Sequence, residues 1–252
     1  MNKYLIETCC GSADDVIESA KAGADRVELN SNLFQGGLTP TIGTLRVAKR
    51  YADIPVMCMV RPREGGFCYT DAEYETALAD AQLLLDNGAD GIVFGFLDEG
   101  GVIDEKRCAE FVKLANGKST VFHRAIDVTG DWRHAMDVLI GLGVTRILTS
   151  GQSASVFTGA KTILDMIDYA GGRIEVLPGG DITPGNVKAI LEAIPVSAFH
   201  LALLKPCIDG STSLNPSIHF GGALYPPEDI YRMTDCGALG ALKELVNGLH
   251  VN

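Results

Sequence analysis

Short apolar runs alternate with longer amphipathic ones along the whole chain. Eight of the short runs read as strands: Leu5–Cys9, Arg26–Asn30, Pro55–Val60, Gly91–Phe94, Thr120–Arg124, Arg146–Ser150, Ile174–Leu177 and Ala198–Leu201. They lack the polar–apolar alternation of a half-exposed strand, as parallel strands covered on both faces do. Between them lie segments of helix length: Ala13–Ala22, Ile42–Tyr51, Asp71–Asn87, Glu105–Ala115, Trp132–Gly141, Ala160–Ala170, Pro184–Ala193 and Gly237–Leu249. Thr70-Asp71-Ala72-Glu73 has the form of a capping box, and Thr183-Pro184 puts proline at a first helical position.

The joints repeat. Gly23-Ala24-Asp25-Arg26-Val27, Gly88-Ala89-Asp90-Gly91-Ile92 and Gly143-Val144-Thr145-Arg146-Ile147 each read as a helix stopped by glycine, two linking residues, then a buried strand. Eight βα units in 252 residues, about 31 residues each, predict an α/β chain folded as a TIM (β/α)8 barrel, a single domain over residues 1–252. A doubly wound sheet is the alternative. It is disfavoured because Cys9-Cys10-Gly11-Ser12-Ala13 holds one glycine where a dinucleotide fold needs G-x-G-x-x-G, so no nucleotide cofactor is expected. The one irregular stretch, about 202–235, is rich in Ser, Pro and Gly. It reads as a long loop after strand 8, in a position to fold over the barrel mouth.

Hydrophobic residues make up 46% of the chain, enough for a sizeable core, and the net charge is −11. So acidic a surface repels phosphate backbones and anionic lipid, so neither nucleic acid nor membrane is an expected partner. An anionic ligand would need a local basic site. The first residues show no secretory signal and no apolar run approaches a membrane span, which leaves a cytoplasmic location as the expectation. Seven cysteines, an odd number without any C-x-x-C, point to reduced thiols.

In such barrels the site lies at the C-terminal ends of the strands. Strand 1 presents Glu7 and Cys9 on one face, and strand 2 presents Glu28 and Asn30 on one face. Buried carboxylates need partners, and Arg61 at the end of strand 3 is the natural candidate. The network either closes the barrel structurally or does chemistry. A carboxylate raised in pKa beside His123 would suit proton transfer next to a carbonyl, with Glu28 or Asp127 as base and His123 as acid. Arg61 and Arg63 either capture an anion or bridge to the helices. Ser150-Gly151 and Gly179-Gly180 end strands 6 and 7, where barrels often hold phosphate, although glycine pairs also make plain turns. His123 and His200 sit at one layer of strands 5 and 8. Cys9, Met57, Cys58, Met59 and Cys68 are soft donors near strands 1 and 3. They are equally ordinary core fillers, and alternation sends Cys58 away from the two methionines.

Several colinear stretches resemble one family. They include Gly23-Ala24-Asp25-Arg26-Val27-Glu28-Leu29, Gln35-Gly36-Gly37-Leu38-Thr39-Pro40, Val60-Arg61-Pro62-Arg63 with Gly65-Gly66-Phe67, Phe122-His123-Arg124-Ala125 with Asp127, Leu148-Thr149-Ser150-Gly151, Pro178-Gly179-Gly180 and Phe199-His200. Over about residues 5–202 the chain resembles the copper homeostasis protein CutC family. The resemblance implies a TIM barrel, a cytoplasmic location, homo-oligomers and copper homeostasis through Cu(I). It places proposed copper ligands after strands 1 and 2. The first is Cys9 here, and the second position holds Asn30, which has no thiolate. Two functions are therefore carried forward: Cu(I) binding through Cys9, and an enzyme acting on a small anionic molecule through the charged ring. A ligand-sensing barrel stands behind both.

Overall fold

The computed structural model describes residues 4–220 and 228–249. The elements alternate through the barrel: β1 (Leu5–Cys10), α1 (Ala13–Lys21), β2 (Arg26–Leu29), α2 (Ile42–Tyr51), β3 (Val56–Met59), α3 (Asp71–Asp86), β4 (Gly91–Phe94) and α4 (Glu105–Ala115). They continue with β5 (Ser119–Phe122), α5 (Trp132–Leu142), β6 (Arg146–Thr149), α6 (Val156–Ala170), β7 (Glu175–Pro178), α7 (Val187–Ala193) and β8 (Ala198–Leu201). All neighbours pair in parallel, in the order β7-β6-β5-β4-β3-β2-β1-β8. A bridge between Gly179 and His200 joins β7 to β8 and brings the ring close to closure. The expected TIM (β/α)8 barrel is the observed fold.

Alternation splits each strand between two cores. Met57, Met59, Val93, Val121, Leu148 and Leu177 pack inside the barrel, while Cys58, Ile92, Phe94, Phe122 and Ile147 face the helices. The interior is lopsided. Its β3–β7 side is filled mainly by these apolar side chains, the charged Arg146 at the start of β6 and Glu175 at the start of β7 apart. The β1, β2 and β8 strands bring Glu7, Arg26, Glu28 and His200, all buried. The polar half of the interior opens at the C-terminal ends of the strands.

Three expectations need correction. Helix α6 begins at Val156 rather than Ala160, because Ser155 and Thr158 form a capping box there. Helix α7 begins at Val187 rather than Pro184. The Asn186 side chain accepts from the Thr183 amide and donates to the Asp181 carbonyl, which keeps 181–186 in a turn. The stretch read as an irregular loop contains an antiparallel hairpin, β9 (Leu204–Ile208) with β10 (Ile230–Thr234), followed by α8 (Cys236–Asn247). Residues 221–227 lie outside the described part. Thr234 N donates to Asp15 Oδ1 at 2.6 Å, which ties the base of the hairpin to the first turn of α1.

Candidate functional site

A cavity of about 530 Å³ opens at the C-terminal ends of the strands. Glu28, Cys9 and His200 form one side of it. Residues two apart on β1 share a face, so Cys9 stands directly above Glu7, and register sets Glu28 beside Cys9 and His200 beside Glu7. Asn30 Nδ2 donates to Glu28 Oε1 at 3.0 Å and to Cys9 Sγ at 3.4 Å. The Cys9 thiol donates to the same carboxylate oxygen at 3.8 Å. The other oxygen, Glu28 Oε2, is buried and unpartnered among the described residues. The donor atoms of Cys9, Glu28 and His200 lie within 4.8 Å of one another.

Beneath this cluster, Glu7 is ion-paired to Arg26 and accepts or shares a hydrogen bond with His200 Nδ1 at 2.9 Å. Arg26 and Arg146 also bridge to Glu175, each at 2.8 Å. Burial pushes the Glu7 carboxyl up, but His200, Arg26 and Arg146 outweigh it and hold the group at about 2. Burial raises Glu28, with Glu7 adding to the rise against His200. The same burial and the Glu28 charge push the Cys9 thiol well above its ordinary range. His200 moves upward: burial opposes its charge, and Glu28 and Glu7 together prevail.

His123 faces this group from β5. Burial, reinforced by the Arg61 charge, lowers it to about 3, so it is neutral near pH 7. Its Nδ1 accepts from the Ala125 amide at 3.1 Å, which leaves the proton on Nε2. That Nε2 is buried without a partner among the described residues. The ring packs on Phe67 with centroids 4.8 Å apart, and over Gly95, where a Cβ would meet the ring at 2.3 Å. Only glycine fits beneath the imidazole.

The remaining candidates divide. Arg61 does not pair Glu7 or Glu28, as the sequence suggested. Its guanidinium donates to the carbonyls of Gln35, Gly37 and Gly65, clamping the β2 and β3 loops at the cavity edge. Arg63 lies away from the cavity. It bridges Glu73 at the start of α3 at 2.6 Å and stacks over Tyr69. Asp127 lines the cavity, but its carboxylate already accepts from Thr149, Ser150, Gln152 and Arg124, so it is a loop anchor rather than a free base. Ser150 is buried in that same knot, while Gly179 and Gly180 line the cavity with backbone. Sequence reasoning missed Arg124, whose signal was its place right after His123 at a strand end. It also missed Arg26, Arg146 and Glu175, charged residues set inside apolar strands.

Fit to Cu(I) can be read from the donors. Cu(I) selects thiolate and thioether sulfur. Here one thiol is held protonated, beside a hard carboxylate, and an amide stands at the second expected sulfur position. The three donor atoms converge, but their chemistry suits Cu(I) poorly.

A family model described as the CutC family matches residues 4–205. A family protein CutC from Treponema denticola is 53% identical over 229 residues, covering 91% of this chain and 93% of its own. The mouse copper homeostasis protein cutC homolog is 39% identical over 250 residues, 99% of this chain and 92% of its own. A solved structure of CutC from Streptococcus agalactiae superposes with a TM-score of 0.75 at 34% identity, covering 79% of this chain and 98% of that one.

Proposed function

The chain belongs to the CutC family of copper homeostasis proteins, and we propose that its working part is the barrel-mouth cavity, acting as an enzyme site on a small anionic carbonyl compound. One observation carries this reading: Glu28, His123 and Arg61 all line the cavity, and each has a buried polar atom without a partner among the described residues, Oε2, Nε2 and Nε, of which the first two can act on a carbonyl compound. Orphaned polar groups at such depth are costly without a ligand. Their chemistry is complementary. Glu28, its carboxyl raised by burial, takes a proton from carbon beside a carbonyl, and neutral His123 donates a hydrogen bond from Nε2 to the carbonyl oxygen as charge develops there. Asn30 and Cys9 hold the far oxygen of Glu28 and aim the free one.

The test uses carbonyl compounds bearing carboxylate or phosphate groups, incubated in D₂O and followed by proton NMR. Deuterium enters beside the carbonyl of at least one compound, and Glu28→Gln slows this by about 10²-fold or more. No exchange above the buffer rate in any compound, or unchanged exchange in Glu28→Gln, sinks the proposal.

The convergence of Cys9, Glu28 and His200 favours a second reading, Cu(I) held through Cys9. The hard carboxylate and the protonated thiol rank it second. Competition of reduced protein against a chromogenic Cu(I) chelator decides it: tight one-to-one binding lost in Cys9→Ser would promote copper to first place. The family resemblance and seven free cysteines support a cytoplasmic location. No described helix is long and apolar enough to cross a membrane.

A further inference from the structure

The cavity has a cationic corner that proton transfer does not use. Arg124 follows His123 at the end of β5 and is fixed along one edge. Its Nε donates to Asp127 Oδ2 at 2.8 Å, and its Nη2 to Ser150 Oγ at 2.5 Å. Asp127 is itself held by the hydroxyls and amides of the β6 loop, so the guanidinium plane is set from behind. Its Nη1 has no hydrogen-bond partner among the described residues, and both Arg124 and Gly180 line the cavity. A Cβ on Gly180 would stand 3.6 Å from Nη1, and the backbone there has φ +130°, a conformation that side-chain-bearing residues rarely adopt. Glycine keeps the space against the guanidinium open. Asp181, on the same loop, also lines the cavity; it is exposed, as Arg124 is, and water screens both charges.

We infer that Arg124 is the anion anchor of this cavity, binding a phosphate or carboxylate group of the ligand through Nη1 beside Gly180. The role that sequence gave to Arg61 and Arg63 passes to it. Arg61 spends its terminal nitrogens on loop carbonyls, and Arg63 is paired outside the cavity. A guanidinium with one edge immobilised loses little freedom on binding and presents a defined donor direction, which an ammonium would not. His123 and Arg124 are adjacent in sequence, so the substrate class is a carbonyl compound with an acidic group. That last step rests on the proton-transfer reading; the anchor itself does not.

The test is calorimetric titration of the full chain with inorganic phosphate and, separately, with malonate, at constant ionic strength. At least one anion binds, and Arg124→Gln weakens it about tenfold or more. Arg124→Lys recovers only part of the loss. Arg63→Gln, which removes the same charge outside the cavity, stays within about twofold of wild type. Asp127 keeps four other donors in Arg124→Gln, so its loop remains tied. The stronger of the two probes identifies the ligand's acidic group. The anchor is overturned if neither anion binds, if Arg124→Gln binds as wild type does, or if Arg63→Gln loses as much. Arg124-dependent binding without deuterium exchange would keep the anchor and remove the proton-transfer reading.

Discussion

Glu7 shows how one residue ties stability to the site. Its carboxylate is about 1% exposed, yet it is charged, because Arg26, Arg146 and His200 surround it. Removing one member of such a network leaves buried charges without a partner, which costs about 3–5 kcal/mol. Glu7→Gln therefore lowers the urea midpoint at pH 7 substantially. The pH dependence has a definite sign. Glu7 falls from 4.5 to about 2 on folding, so its contribution is full above pH 4.5 and is lost as pH drops toward 2. His200 is raised above 6.5, so its contribution is full below pH 6.5 and is lost as pH climbs through its folded value. Urea unfolding of the wild type across pH 2–9 shows an alkaline limb from His200 and an acid limb to which Glu7 contributes below pH 4.5 and His123, neutral when folded, below pH 6.5. Glu7→Gln flattens the acid limb below pH 4.5, and an unchanged acid limb would show that Glu7 is not a source of it.

At the scale of elements, what the sequence revealed followed from local periodicity. The strands Gly91–Phe94 and Ala198–Leu201 and the helices Ile42–Tyr51 and Glu105–Ala115 match to the residue, because their apolar runs and amphipathic periods mark them directly. That Cys9, Glu28, His123 and His200 meet at one cavity was legible for the same reason: alternation sends every second side chain inward, and the strand end fixes the depth. What failed was pairing. Which carboxylate meets which arginine depends on barrel shear and loop path, and neither is encoded within one strand. Arg26 pairs with Glu7 across adjacent strands, but Arg61 is captured by carbonyls of a loop 24 to 26 residues earlier. The hairpin β9–β10 was missed because its strands carry no inward face. All five β9 residues and four of the five β10 residues are partly covered or exposed, apolar and polar in mixture, without a period.

At the scale of the whole molecule, that hairpin is the part the barrel does not explain. A two-stranded ribbon is marginal alone. This one is tied to the first turn of α1 at Asp15, while its other end presents Ile208 and Ile230, paired directly across the strands and 83% and 47% exposed. Tyr231 and Phe220 are exposed on the same arm. Exposed apolar side chains gathered on one arm mark a surface for contact. The family resemblance implies homo-oligomers, and the prediction is that a second copy of the chain covers this arm. Light scattering behind size exclusion then gives a multiple of the chain mass at micromolar concentration. Ile208→Asp with Ile230→Asp returns the single-chain mass while Tm changes little, since neither side chain is buried in the barrel. A double variant that keeps the wild-type mass would remove the arm as the contact. A wild type that is already monomeric would remove the assembly itself, leaving the cavity of each barrel to work alone.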